Sequence, residues 1–201
     1  MHKVFISYHH ARDQFYKDKL VAWNVAENLF IDKSVDTGDI DDSLTDEQIR
    51  VKIRDEYLRD STVTILLVGK ETKYRKHVDW ELYSSMRDGA KNKKSGIIVI
   101  MLPDVSLDYF TAGHGDVEKE FYPADTFWTK IDDRSQYETR YPYAPDRILD
   151  CLANGDSHIS VVQWGKIAQN HNFLRVLIDL SNHDRSICEY DLSRPMRRKN
   201  G

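Results

Sequence analysis

The sequence predicts an α/β domain built on an open, parallel β-sheet. Two observations carry this. The runs Ile65–Val68 and Gly96–Leu102 are apolar without polar alternation, as expected of central strands covered on both faces. Segments with helical spacing separate the apolar runs of the first half, and strands alternating with helices imply parallel pairing through right-handed crossovers.

Each element has a local reason. Lys3–Tyr8 (KVFISY) is short, aromatic and branched, hence a strand. A helix spans about Arg12 to Leu29, with Phe15, Leu20, Trp23, Val25 and Leu29 at near-helical spacing. Phe30–Val35 reads as a second strand, and Asp36–Asp39 (DTGD) as a loop. Thr45 and Gln48 fit a capping box, and the helix they open carries Ile49, Ile53, Tyr57 and Leu58 on one face. Ser61–Val68 is the third strand, a helix runs from about Asp79 to Lys91, and Gly96–Leu102 is the fourth strand. The arrangement is most like the flavodoxin-type three-layer fold. Ligands in such sheets bind beyond the carboxyl ends of the strands, so the loops after Tyr8, Val35, Val68 and Leu102 are the places for chemistry.

The second half is less periodic. Residues 1–102 form the expected core of a single domain spanning 1–201, and 103–201 an insertion with closing helices. The stretch from Pro103 to Pro145 is rich in Asp, Tyr, Pro and Gly, and is too long for a structureless loop. A last strand is expected near Thr126–Ile131, a short helix over Pro145–Ala153, and a closing helix over Ser160–Leu180 with a break near Asn170-His171-Asn172.

Composition bounds the function. With 40% hydrophobic and 31% charged residues, the chain is neither disordered nor a membrane protein. The longest apolar run is far short of the roughly 20 residues of a bilayer span, and the N-terminus lacks a signal-peptide layout. A net charge of -4 argues against a dedicated nucleic-acid binder. The basic cluster Arg194, Arg197, Arg198 and Lys199 reads as a solvated tail. Cys151 and Cys188 make neither a disulfide framework nor a zinc site and fit a reducing cytoplasm as buried thiols.

The familiar fingerprints are absent: GxxxxGK[ST], GxGxxG and GxSxG do not occur. His9-His10 are adjacent and cannot share a helical face as ligands, so no metal site and no bound cofactor is expected. Two places stand out. Phe5-Ile6-Ser7-Tyr8-His9 ends strand one, where composition alone favours a plain buried strand over a polar cluster at a crevice. In His77-Val78-Asp79-Trp80-Glu81-Leu82, Glu81 falls in the first turn of a helix beyond the central strand. An acid there complements the helix dipole, worth about 0.3–1 kcal/mol, yet the position is also that of a crevice.

At these residues the chain resembles the TIR domain family, and more closely its bacterial Thoeris antiphage branch. The matching pieces are Val4–His9, Ser61–Gly69 and Arg75–Glu81, within a likeness covering about Lys3 to Leu102. The resemblance implies a flavodoxin-like TIR fold with a family-specific C-terminal extension and, in enzymatic members, cleavage of NAD at the nicotinamide–ribose bond. The family's catalytic glutamate falls at Glu81, with Ser7, Tyr8, His9 and Trp80 expected at the substrate, NAD. The implied product is an ADP-ribose-derived signal, cyclic or conjugated, that reaches a separate effector protein by diffusion. Many TIR domains are instead scaffolds without chemistry, and a nucleoside deoxyribosyltransferase-like enzyme shares the layered fold and a glutamate-centred site. A homo-oligomer is compatible with all three readings. The aromatic-rich stretch Asp104–Tyr143 is expected to pack near the sheet edge or against a second subunit, where it would cover the crevice.

Overall fold

The computed structural model describes residues 1–34, 45–89, 92–129 and 131–201. Its centre is a five-stranded sheet, β1 (Lys3–Ser7), β2 (Ile31–Asp32), β3 (Val63–Val68), β4 (Gly96–Met101) and β5 (Ser160–Gln163), in the order β2-β1-β3-β4-β5. Every pairing is parallel. β3 and β4 are buried at all twelve positions, which is why neither shows alternation.

The helices are α1 (His10–Glu27), α2 (Asp46–Lys52), α3 (Lys76–Met86), α4 (Asp116–Lys119), α5 (Arg134–Arg140), α6 (Asp146–Ala153), α7 (Trp164–Gln169) and α8 (His171–Asp184). A π-helical turn, Ile53–Tyr57, continues α2. On one side of the sheet α1 meets α7 and α8 through Trp23, Trp164 and His171, with ring centroids 4.9 and 4.5 Å from Trp23. On the other side α3 packs beside the π-turn and α6. The three layers are those expected from the strand–helix alternation.

Several boundaries differ from the sequence reading. Of the expected apolar positions of α1, Leu20 and Leu29 are buried and Trp23 packs on the core, while Phe15 and Val25 are exposed and the buried face is completed by Asp13, Lys17 and Asn24. Asn28 ends α1 in the left-handed conformation (φ 51°), a state that asparagine tolerates better than most residues. The capping box at Thr45 is present, with Gln48 bonded back to the Thr45 backbone. α3 runs from Lys76 to Met86, three residues earlier at its start than expected, and Arg87 is already extended. The expected strand at Thr126–Ile131 is not one over its described residues. The fifth strand is Ser160–Gln163, followed by α7 and α8 with a break at Asn170. A four-residue buried strand running straight into a helix cannot be separated from that helix by periodicity. Val35, the Asp36–Asp39 loop, Lys91 and Lys130 lie outside the described residues.

The basic C-terminus is not a free tail. Arg194 bonds Asp150 at 2.6 and 3.1 Å, and the Arg197 amide donates to Asp79 at 2.7 Å. The Arg197 carbonyl accepts from the Trp80 indole at 2.9 Å, and the Asn200 side chain accepts from the Lys76 amide at 3.0 Å. The last eight residues therefore strap the start of α3. The strap rests on Arg147, fully buried, whose guanidinium holds both oxygens of Asp79 at 2.9 and 3.2 Å and bonds the Arg194 carbonyl at 3.2 Å. Removing one partner of such a pair leaves the other buried and uncompensated. Arg147→Ala is expected to lower stability by about 3–5 kcal/mol in urea unfolding; a loss below about 1 kcal/mol would mean that Asp79 finds water instead.

Candidate functional site

The order β2-β1-β3-β4-β5 changes direction between β1 and β3, and the crevice of such a sheet lies at that point. The loops after β1 and β3 meet there. Ser7 is the last residue of β1. Its side chain points to the α3 side of the sheet, as does Phe5 two residues before it. The Ser7 hydroxyl donates to Glu81 Oε2 at 2.6 Å. Glu81 is 3% exposed, and burial pushes its carboxyl up to about 8 against the opposing pull of the Ser7 bond. At neutral pH the carboxyl is mostly protonated in this closed arrangement.

Because α3 starts at Lys76, Glu81 lies in its second turn. The dipole effect fades within the first turn, so that account of Glu81 loses its footing. The first-turn acid is Asp79, which is committed to Arg147 and the C-terminal strap.

Of the other expected site residues, His9 lies in the loop after β1 beside Glu71, and Tyr8 and Trp80 belong to packed surroundings. His9 is 7% exposed, and its Nε2 stands 3.4 Å from Glu71 without forming a hydrogen bond. Burial, and then the nearby Arg75, lower its pKa, so the imidazole is neutral. Tyr8 turns to the α1 side, where its hydroxyl donates to Gln14 at 2.7 Å and its ring stacks on His10 at 4.3 Å. Trp80 packs with Phe5, Ile49, Ile53 and Leu58 in a second apolar cluster, its indole N–H bound to the strap. The structure thus brings Glu81 to Ser7 and leaves Trp80 as the anchor of a neighbouring core.

Sequence reasoning missed the fastening across the switch point. Asp13 of α1 is buried and accepts from the Thr72 hydroxyl at 3.3 Å, while that hydroxyl also accepts the Gly69 amide at 2.9 Å. Burial raises the Asp13 carboxyl to about 6. Gly69 has no room for a side chain, since a Cβ would sit 2.7 Å from Asp13 Oδ1. Glu71 completes the link, 3.4 Å from both His9 and Arg12 and 2.7 Å from Arg75. One acid among 33 carries no signal by itself, although the short gap from Gly69 to Thr72 after a buried strand marks a tight loop.

The aromatic insertion lies mainly elsewhere. Thr111 bridges Val161 of β5, Phe121 stacks on Phe173 of α8 at 5.1 Å, and Tyr122 is buried beside it. That is the β5 edge, separated from β1 by β3 and β4. Near the crevice its contact is at the far end, where Lys73 bonds the Pro142 carbonyl at 2.6 Å.

An open parallel sheet in this order, with flanking helices and a buried carboxyl at the switch point, is a TIR-like fold. Residues 5–106 match the family described as Thoeris protein ThsB, TIR-like domain, which covers half of the chain. The chain belongs to that family, and membership supports a role in antiphage defence. Against curated proteins the chain has no match.

The protonation of Glu81 has a measurable consequence. Between about pH 4.5 and 8 the folded protein holds a proton that the unfolded chain releases, so stability falls as pH rises through that window. Asp13 acts in the same sense, between about pH 4 and 6. Burial raises Glu118 as well, so the Glu81 share of the slope, at most about 1.4 kcal/mol per pH unit, is read as a difference from a variant that cannot ionise there. Glu81→Gln keeps an acceptor for Ser7 but cannot ionise. Denaturation between pH 6 and 8 is expected to show wild type losing about 1–3 kcal/mol more than this variant; parallel curves would contradict the assignment.

Proposed function

We propose that this chain is a TIR-type NAD-processing enzyme that cleaves the nicotinamide–ribose bond and releases an ADP-ribose-derived signalling nucleotide. The observation that carries this reading is the carboxyl of Glu81, held by Ser7 in a water-poor position at the switch point of a ThsB-type domain.

The chemistry suits such a group. When the C1′–N bond breaks, its electron pair leaves with nicotinamide, and the ribose becomes oxocarbenium-like. A carboxylate beside C1′ stabilises that positive charge. In the closed protein Glu81 is neutral and covered, so it does neither. Binding of a cationic nicotinamide ring beside it favours the ionised form, because an opposite charge nearby lowers a carboxyl pKa. Entry of NAD must therefore open the Ser7–Glu81 contact and charge the carboxyl together, so that the closed arrangement is the inactive form. The unbonded Nε2 of His9 would serve a ribose hydroxyl or a phosphate at the mouth of the crevice. A nucleophile other than water then captures C1′ if the crevice closes over it. The resulting cyclic or conjugated ADP-ribose species would act on a separate effector by diffusion. Among the described residues, no helix is long and apolar enough to cross a membrane.

A non-catalytic interaction module is the second reading, and the same burial of Glu81 favours it: at 3% exposure the carboxyl touches no ligand without a movement. Cells expressing the protein separate the two. During phage infection, NAD is expected to fall and a cyclic or conjugated ADP-ribose species to appear by mass spectrometry, with Glu81→Gln lowering its yield by about 10²-fold or more. Linear ADP-ribose alone would make this an ordinary NADase. Unchanged NAD in infected, protected cells would leave the interaction module.

A further inference from the structure

On the opposite edge of the sheet, three residues distant in sequence converge. His114 lies in the insertion, His158 two residues before β5, and Asp184 at the end of α8. His114 Nδ1 and His158 Nδ1 stand 2.7 and 3.3 Å from the same atom, Asp184 Oδ2. One ligand atom from each residue fits within a 4.8 Å cluster. We propose that His114, His158 and Asp184 form a binding site for a transition-metal ion of the zinc type, stapling the insertion and the loop before β5 to the end of α8.

Five features support it. Two imidazoles and one carboxylate are a donor set that zinc accepts readily. At bond lengths of about 2.0–2.1 Å, tetrahedral ligand atoms lie about 3.3 Å apart. The His158–Asp184 separation already matches this, and the His114–Asp184 contact needs to open by about half an ångström. The second ring nitrogen of His114 lies 3.0 Å from the Ser181 hydroxyl, the outer-shell bond that typically orients a ligating histidine. The Nδ1 of His158 is buried yet forms no hydrogen bond, and its residue is held in the left-handed region at φ 49°. A β-carbon-bearing residue in that conformation, aiming an unsatisfied nitrogen at a shared carboxylate, is more than a surface ion pair requires. Gly113 makes the approach feasible, because a Cβ there would fall 2.6 Å from the Ile159 carbonyl carbon. Glu118 stays outside the set: its carboxylate is occupied by Tyr122, Ser160 and the His114 amide.

The test uses the full chain, stripped with a chelator and titrated with zinc chloride by calorimetry, with thermal unfolding in parallel. One ion per chain and a raised unfolding midpoint are expected. His158→Asn, which tolerates the left-handed backbone, and Asp184→Asn, which keeps the side-chain shape, should each weaken zinc binding at least tenfold and abolish the midpoint rise. No binding by wild type, or equal binding by wild type and both variants, overturns the site.

Discussion

The structure around the crevice depends on one contact, the 2.6 Å hydrogen bond from Ser7 to Glu81. A carboxyl removed from water either pairs with a cation or stays protonated. The Arg147 guanidinium that reaches α3 from α6 is spent on Asp79, and the pull that opposes burial at Glu81 comes from the Ser7 hydroxyl. Glu81 is left with a hydroxyl, and so it is neutral. That single constraint makes the end of β1 and the middle of α3 a closed unit and leaves a poised acid at the point where an α/β sheet receives its ligand.

The neighbouring ties keep this unit in place. Asp13, Thr72 and Gly69 fasten the loop after β3 to α1, and Glu71 pairs with Arg12 and Arg75 beside His9. On the far side of α3, Trp80 and Asp79 are anchored by the C-terminal strap. α3 is thus held at its start by ion pairs and hydrogen bonds, and along its length by the sheet. A ligand that separates Ser7 from Glu81 works against a stiff frame, and the movement it demands falls on the loops or on the strap.

Much of this was legible in the sequence. Buried strands announce themselves by lacking alternation, so β3 and β4 were plain, and strand–helix alternation then dictates the parallel order. The capping box at Thr45 is a local signal that the structure honours. Glu81 and Ser7 were each legible as crevice positions from the loops they occupy, but not as a pair, because spacing cannot say that residues 74 apart will touch. What stayed hidden is long-range and polar. The buried face of α1 carries Asp13, Lys17 and Asn24, which an apolar-spacing argument discards. The strap looks like a solvated basic tail until its acids, Asp79, Asp146 and Asp150, are placed beside it. Trp80 reads as a crevice wall from its neighbour in sequence, whereas the helix turns it into a separate cluster. β5 was obscured because its four residues, only two of them apolar, merge into the helix that follows.

The central claim is that Glu81 is neutral in the resting protein because it is dry and bonded to Ser7. Carbon-13 labelling of the glutamate side chains, with Glu81 assigned through the Glu81→Gln spectrum, reads its titration directly. The account predicts a carboxyl midpoint near pH 8 in the free protein. A midpoint in the ordinary carboxylate range, near pH 4.5, would contradict it.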